Sequence, residues 1–111
     1  MKKVDAEPAT DLEAAVRSAD IVSCLTSAST PVLSGSWLKP GTHVDLVGSF
    51  TPRMREADDE TMRRGRLFVD SRAFTITQCG DVAIPIEKGV IREADIVADL
   101  FDLCCGRAAG R

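Results

Sequence analysis

Tyrosine is absent from the 111 residues, tryptophan and histidine occur once each, at Trp37 and His43, and basic residues are outnumbered by acidic ones. The 14 lysines and arginines against 17 aspartates and glutamates leave a net charge of -3. A phosphate backbone or an anionic bilayer needs a basic face, so neither nucleic acid nor a membrane surface is expected as a partner. No apolar run approaches the roughly 18 residues of a membrane-spanning helix. The start, Met1-Lys-Lys-Val-Asp-Ala-Glu-Pro8, lacks the apolar middle of a signal peptide. A cytoplasmic chain is the expectation. The four cysteines, Cys24, Cys79, Cys104 and Cys105, contain no C-x-x-C pair, and His43 lies apart from them. Free thiols, buried or half-buried in a reducing compartment, are therefore expected, and no metal site. Also missing is any G-x-G-x-x-G. Without glycines at that spacing opening a helix, the chain has no recognisable grip for a pyrophosphate.

What is present is an ordinary globular balance, 44% hydrophobic and 28% charged, in a length that suits one small domain. Residues 1–9 are polar, without periodicity, and read as a lead-in. From Thr10 a helix is predicted, with Thr10 and Glu13 in capping-box spacing and Leu12, Ala15, Val16 and Ala19 on one apolar stripe. Ile21 to Leu25 reads as a strand covered on both faces. Thr26 to Thr30 is a loop of small and hydroxyl residues, and Pro31 to Gly41 a connector anchored by Trp37 and Leu38. A second strand spans His43 to Val47, and a helix follows from Asp58 to Arg64, acidic at its start and basic at its end. Arg66 to Asp70 is a third strand, and Ser71 caps a helix reaching Gln78. Val82 to Gly89, with Pro85, reads as irregular, and Glu93 to Cys105 as a final helix that buries Ile96, Val97, Leu100, Phe101 and Cys104.

Strands alternating with helices predict an α/β fold, a partial Rossmann-like parallel three-stranded sheet with flanking helices over residues 10–111. Its first strand would be an edge lacking a neighbour, which implies a fragment or an edge-strand pairing partner. Ligands in such sheets sit at the carboxyl ends of the strands. There the chain offers Thr26-Ser27 and Gly48-Ser49, loops small enough for a flat ring or a ribose to reach the backbone, although plain turns share this composition. Glu56, Asp58, Asp59 and Glu60 gather at a helix start, where capping and solvated charge explain them. Asp45 and Asp70 need hydrogen-bond donors, and amides next to Asp70 can supply them. His43 lies at the opposite end of its strand from the ligand edge. No nucleophile, base and orienting group can be assembled from these positions, so no catalytic residue is assigned.

Four segments in order carry a resemblance: Ala19-Asp-Ile-Val-Ser-Cys-Leu-Thr-Ser27, Thr30-Pro-Val-Leu33, Trp37-Leu-Lys-Pro-Gly41 and Thr42-His-Val-Asp-Leu-Val-Gly-Ser-Phe-Thr-Pro-Arg-Met-Arg-Glu56. Together they resemble the later half of the nucleotide-binding domain of the ornithine cyclodeaminase and mu-crystallin family. The resemblance implies an NAD(P)-dependent parent acting on a small amino or imino acid, as a cyclodeaminase or a reductase of cyclic imino acids, with dimerisation through a region outside this stretch. It places Thr26, Ser27, Val47 and Ser49 against the cofactor, and aligns Glu56 and Asp58 with a Glu-Leu-Asp that opens a helix. Two departures matter. Gln78 stands where mu-crystallin has a ligand-contacting glutamate, and Phe50 where cyclodeaminases carry a catalytic aspartate. A phenyl ring cannot exchange a proton, so the resemblance is to the imine-reductase side. With no Gly-rich loop and no substrate region, tight NAD(P)H binding and turnover are not expected of this chain alone. The rival expectation is a noncatalytic remnant or an edge-pairing module.

Overall fold

The computed structural model describes residues 4–110. Helix α1 (Leu12–Ser18) is capped by Asp11, whose carboxylate accepts the Ala14 N–H at 3.0 Å. The cap thus sits one residue after the predicted Thr10. Of the predicted stripe only Val16 is buried, and Leu12 stays exposed. Strand β1 (Ile21–Cys24) pairs in parallel with β2 (His43–Leu46), Ile21 opposite His43 and Cys24 opposite Leu46. Between them Trp37 and Leu38 pack on a core of Val16, Cys24, Leu33 and Ala57, as anchors should. β1 is not covered on both faces, since Ile21 and Ser23 are exposed while Cys24 is buried.

Helix α2 (Asp59–Arg64) starts at Asp58, whose carboxylate accepts both the N–H and the hydroxyl of Thr61 at 2.8 Å. It crosses close over Gly35, where a Cβ would collide with the Thr61 amide. Strand β3 (Leu67–Val69) leads into α3 (Arg72–Gln78). Ser71 occupies the cap position but makes no side-chain capping bond; the preceding Asp70 accepts the Ser71 N–H and the Thr75 hydroxyl. The stretch read as irregular is helix α4 (Gly80–Glu87), with Pro85 inside it and fully buried. Proline removes one helical hydrogen bond, and here burial of its ring outweighs that loss.

The three-stranded sheet is overturned. Among the described residues there are two separate two-stranded parallel sheets, β1 with β2, and β3 with a fourth strand, β4 (Ile96–Asp99). Four residues in the middle of the predicted last helix form this strand, because Ile96 and Ala98 are buried while Val97 between them is exposed, a period of two. The β-branched pair Ile96-Val97 suits that pleat. The helix, α5 (Leu100–Cys104), begins only after Asp99, whose carboxylate accepts the Asp102 N–H at 3.0 Å. Its Leu100 and Phe101 are exposed, against expectation. No ladder joins β2 to β3. The second core, Met62, Val69, Val82, Ile91 and Ile96, lies against β3 and β4, and Leu46 touches both cores.

Candidate functional site

Parallel register brings the chain off the ends of β1 and β2 side by side, as Leu25-Thr26-Ser27 and Val47-Gly48-Ser49. One carboxylate ties these exits together. Glu56 Oε1 accepts the Thr26 N–H at 2.5 Å and the Thr26 hydroxyl at 2.8 Å, while Oε2 accepts the Gly48 N–H at 2.7 Å. Glu56 is 0% exposed, so this is a buried clamp and not the solvated helix-start charge that its position suggested. Its neighbours keep that role: Asp58 caps α2, Asp59 pairs with Arg55, and Glu60 with Arg63.

The backbone delivers Glu56 to the clamp. Its carbonyl accepts the N–H groups of Val32 and Leu33 at 2.8 and 2.9 Å, and Arg55 N–H donates to the Ala28 carbonyl at 2.8 Å. Behind it stands Asp81 at the start of α4, whose Oδ1 accepts the N–H of Glu56 at 3.0 Å and of Ala57 at 2.9 Å. Ser49 closes the network: its hydroxyl donates to the Met54 carbonyl at 2.7 Å and accepts the Asp81 N–H at 3.1 Å. Gly48 is obligatory for space, because a Cβ there would meet the Thr26 carbonyl and the Glu56 carboxylate.

Of the four residues expected at a cofactor, Thr26, Ser27 and Val47 are exposed at this edge, while Ser49 is buried with its hydroxyl committed inward. Thr26 is likewise engaged through its N–H and hydroxyl. Phe50 is 68% exposed beside them. Val47, Ser49 and Phe50 also line a cleft of about 960 Å³ between the two sheets, shared with Asp81 and, at its far end, His43. Asp45 is exposed and accepts the Ser23 hydroxyl at 3.1 Å. Gln78 is exposed on α3. Among the described residues no group of three or more His, Cys, Asp or Glu could hold a metal, and no helix is long and apolar enough to cross a membrane. Cys104 and Cys105 are exposed thiols, unlike the buried Cys24 and half-buried Cys79. Burial, followed by the carboxylates of Glu56, Asp81 and Asp45, pushes the Cys24 thiol up, which keeps it protonated.

Asp81 has a pH signature. Burial pushes its carboxyl above the ordinary 3.8, against the amides of Ala57 and Glu56, and the side chain's Oδ2 is buried without a partner. A carboxyl raised in the folded state stabilises fully below its ordinary value and loses that contribution as pH rises through the raised one. Asp81→Asn keeps the Oδ1 acceptor but cannot titrate. Between about pH 7 and about pH 4, wild type should therefore gain stability relative to this variant. Asp58, where burial is outweighed by the amides of Thr61 and Gly35 and the hydroxyls of Thr61 and Ser34, is lowered and acts oppositely, but it cancels in the comparison. Urea unfolding of both proteins across this range measures the difference; a pH-independent gap would refute the assignment.

The model of the ornithine cyclodeaminase/mu-crystallin family matches residues 2–111. The chain belongs to that family. Its sequence is 50% identical over 101 residues to the Δ1-pyrroline-2-carboxylate reductase of Paracoccus denitrificans, covering 91% of this chain and 32% of the reductase. It is 38% identical over 102 residues to the mouse ketimine reductase mu-crystallin, covering 92% of this chain and 30% of that protein. Among solved structures, the Thermococcus litoralis Δ1-pyrroline-2-carboxylate reductase in complex with NADH and L-proline superposes with a TM-score of 0.86 at 38% identity, over 90% of this chain and 31% of that one. The iminosuccinate reductase of Paracoccus denitrificans in complex with NAD+ gives 0.84 at 29% identity, over 94% and 32%. The chain thus spans about a third of the length of its family relatives.

Within this family segment, residue-by-residue reading finds the two loops but misses what holds them. Glu56 carries the signature of a helix-start acid, and only its partners 30 and 8 residues away reveal the clamp. Asp81 reads locally as part of a Cys-Gly-Asp helix breaker. The one available signal is Pro85 four residues on, too close for a long helix and silent about burial.

Proposed function

We propose that this chain forms the nicotinamide-side part of the NAD(P)H-binding domain of a reductase acting on small cyclic imino acids. The observation that carries the reading is the Glu56 clamp, which holds the Thr26 and Gly48 loops in fixed relation at the carboxyl edge of a parallel sheet, where open α/β sheets take their ligands. The relatives solved with NADH and L-proline, or with NAD+, agree with that direction. The residues present fit the cofactor in part. Exposed Ser27 and Val47 offer a flat, small-sided approach to a ring, whereas no Gly-rich turn is present to cradle a pyrophosphate. The cofactor would supply hydride, and the chain's own share is orientation of the ring and exclusion of water by Val47 and Phe50. Phe50 offers no proton, which suits reduction of a preformed C=N bond better than a cyclodeaminase.

NADH titration followed by amide chemical shifts tests this. Shifts should concentrate at Ser27, Val47 and Phe50, with a dissociation constant weaker than about 1 mM, since binding without the phosphate grip loses most of its free energy. NADPH with pyrroline-2-carboxylate should show no steady oxidation by the chain alone. Shifts centred on the opposite ends of the strands, or none at the highest NADH concentration, would remove the reading.

A second reading, an edge-pairing module without catalysis, has one observation in its favour. Among the described residues none pairs with the outer edge of β1, and Ile21 and Leu25 beside it are 67% and 70% exposed.

A further inference from the structure

The carboxyl ends of β2 and β3 open onto the same part of the cleft, and a run of hydrogen bonds holds them there. Beyond β2, the Ser49 hydroxyl accepts the Asp81 N–H at 3.1 Å, and the Thr51 carbonyl accepts the Gly80 N–H at 3.1 Å. Next to Gly80, Cys79 donates its N–H to the Thr75 carbonyl at 3.0 Å, and the Thr75 hydroxyl donates to Asp70 Oδ1 at the end of β3. Val47, Phe50 and Phe74 line the cleft at these strand ends, and each is more than half exposed. The basic residues of the lining, Lys39, Arg64 and Arg66, precede β2 and β3 and so belong to the opposite end with His43. The carboxyl end is thus walled by apolar groups and has no cation.

Three carboxylates line the cleft, and they differ in what they have left to offer. Asp81 is 1% exposed and is given over to the amides of Glu56 and Ala57. Asp45 stands within β2 and accepts the Ser23 hydroxyl from β1. Asp70 is exposed, and both of its donors, the Ser71 N–H and the Thr75 hydroxyl, fall on Oδ1. Oδ2 meets no donor among the described residues. The nearest cation along the chain, Arg72, is taken by the Ile96 carbonyl and by Asp102. We propose that Asp70 Oδ2 holds the protonated ring nitrogen of a small cyclic imine or amine whose carbons lie against Val47, Phe50 and Phe74. A carboxylate accepts from an N–H that carries positive charge more strongly than from a neutral one, and aromatic faces attract the same charge. An anionic group on the ligand meets no cation here and points away from Asp70. This assignment deepens the reductase reading and rests on it for the identity of the ring.

Pyrrolidinium, a small ring charged at neutral pH, is the probe, titrated into the chain without nicotinamide cofactor and followed by amide chemical shifts. Saturable shifts are expected at Phe50, Asp70 and Phe74. Asp70→Asn keeps the Oδ1 acceptor for Ser71 and Thr75 and should weaken binding by about 5-fold. Cyclopentanol, a ring of the same size without charge, should bind wild type more weakly by a similar factor, a comparison that holds even where the variant does not fold. Equal affinity for the two rings overturns the assignment, as do equal affinities of wild type and Asp70→Asn, shifts centred on His43 and Asp45, or no saturable shift. If NADH still shifts Ser27 and Val47 in those cases, the reductase reading survives and only the role of Asp70 is lost. Pyrrolidinium bound at Asp70 with no response to NADH would instead keep the cation site and remove the reductase.

Discussion

Glu56→Gln is expected to lower the unfolding free energy by about 2–4 kcal/mol, and Glu56→Ala to leave the chain without a cooperative transition. The carboxylate is acceptor-only and meets three donors, the Thr26 N–H and hydroxyl on one oxygen and the Gly48 N–H on the other. An amide side chain of the same shape must present its NH2 to one of these sets, and a donor facing a donor leaves a buried N–H unpaired. Alanine strands the whole set and adds a cavity. Glu60, in the same segment and paired with Arg63 at the surface, is the control: Glu60→Gln should cost less than about 0.5 kcal/mol. Urea denaturation followed by far-UV circular dichroism ranks the three. Equal small losses for Glu56→Gln and Glu60→Gln would show that the clamp does not hold the loops.

Gly48→Ala should cost about 3 kcal/mol or more through a single methyl group. The added Cβ would lie 2.7 Å from the Glu56 Cδ and collide with the Thr26 carbonyl, which is backbone and cannot rotate away. Relief is available only by separating the two loops, which breaks the clamp as well. Gly89 makes the comparison informative: it has φ +71 with nothing within 4 Å of a built Cβ, so Gly89→Ala pays only the left-handed backbone strain, about 1–2 kcal/mol. Thermal unfolding of both variants should place Gly48→Ala well below Gly89→Ala. The reverse order would mean that the exits of β1 and β2 are looser than their hydrogen bonds indicate.

Features written within a few residues of one another were legible from the chain alone. The helix Asp58 to Arg64, with its acidic start and basic end, stands within one residue of its observed bounds, because caps and dipole charges act inside a single turn. Trp37 and Leu38 anchor the connector as their bulk suggested. Errors arose where local signals conflicted. Ile96 to Cys104 fits both a helical and an alternating pattern, and the choice fell to a distant partner, β3, against which Ile96 and Ala98 are buried. Pro85 argued against a helix, and burial of its ring in α4 prevailed.

Order and identity of the motifs were enough to establish the family, the alternation of strands and helices, and the two loops at the sheet's carboxyl edge, since these depend on residues adjacent in the chain. The pairing of strands into two sheets, the cleft between them, and the conversion of Glu56 and Asp81 from ordinary acids into buried fasteners were decided by tertiary structure alone. A carboxylate becomes a clamp only when backbone N–H groups converge on it, and Glu56 collects those of Thr26 and Gly48 from 30 and 8 residues away, distances across which no local pattern carries information.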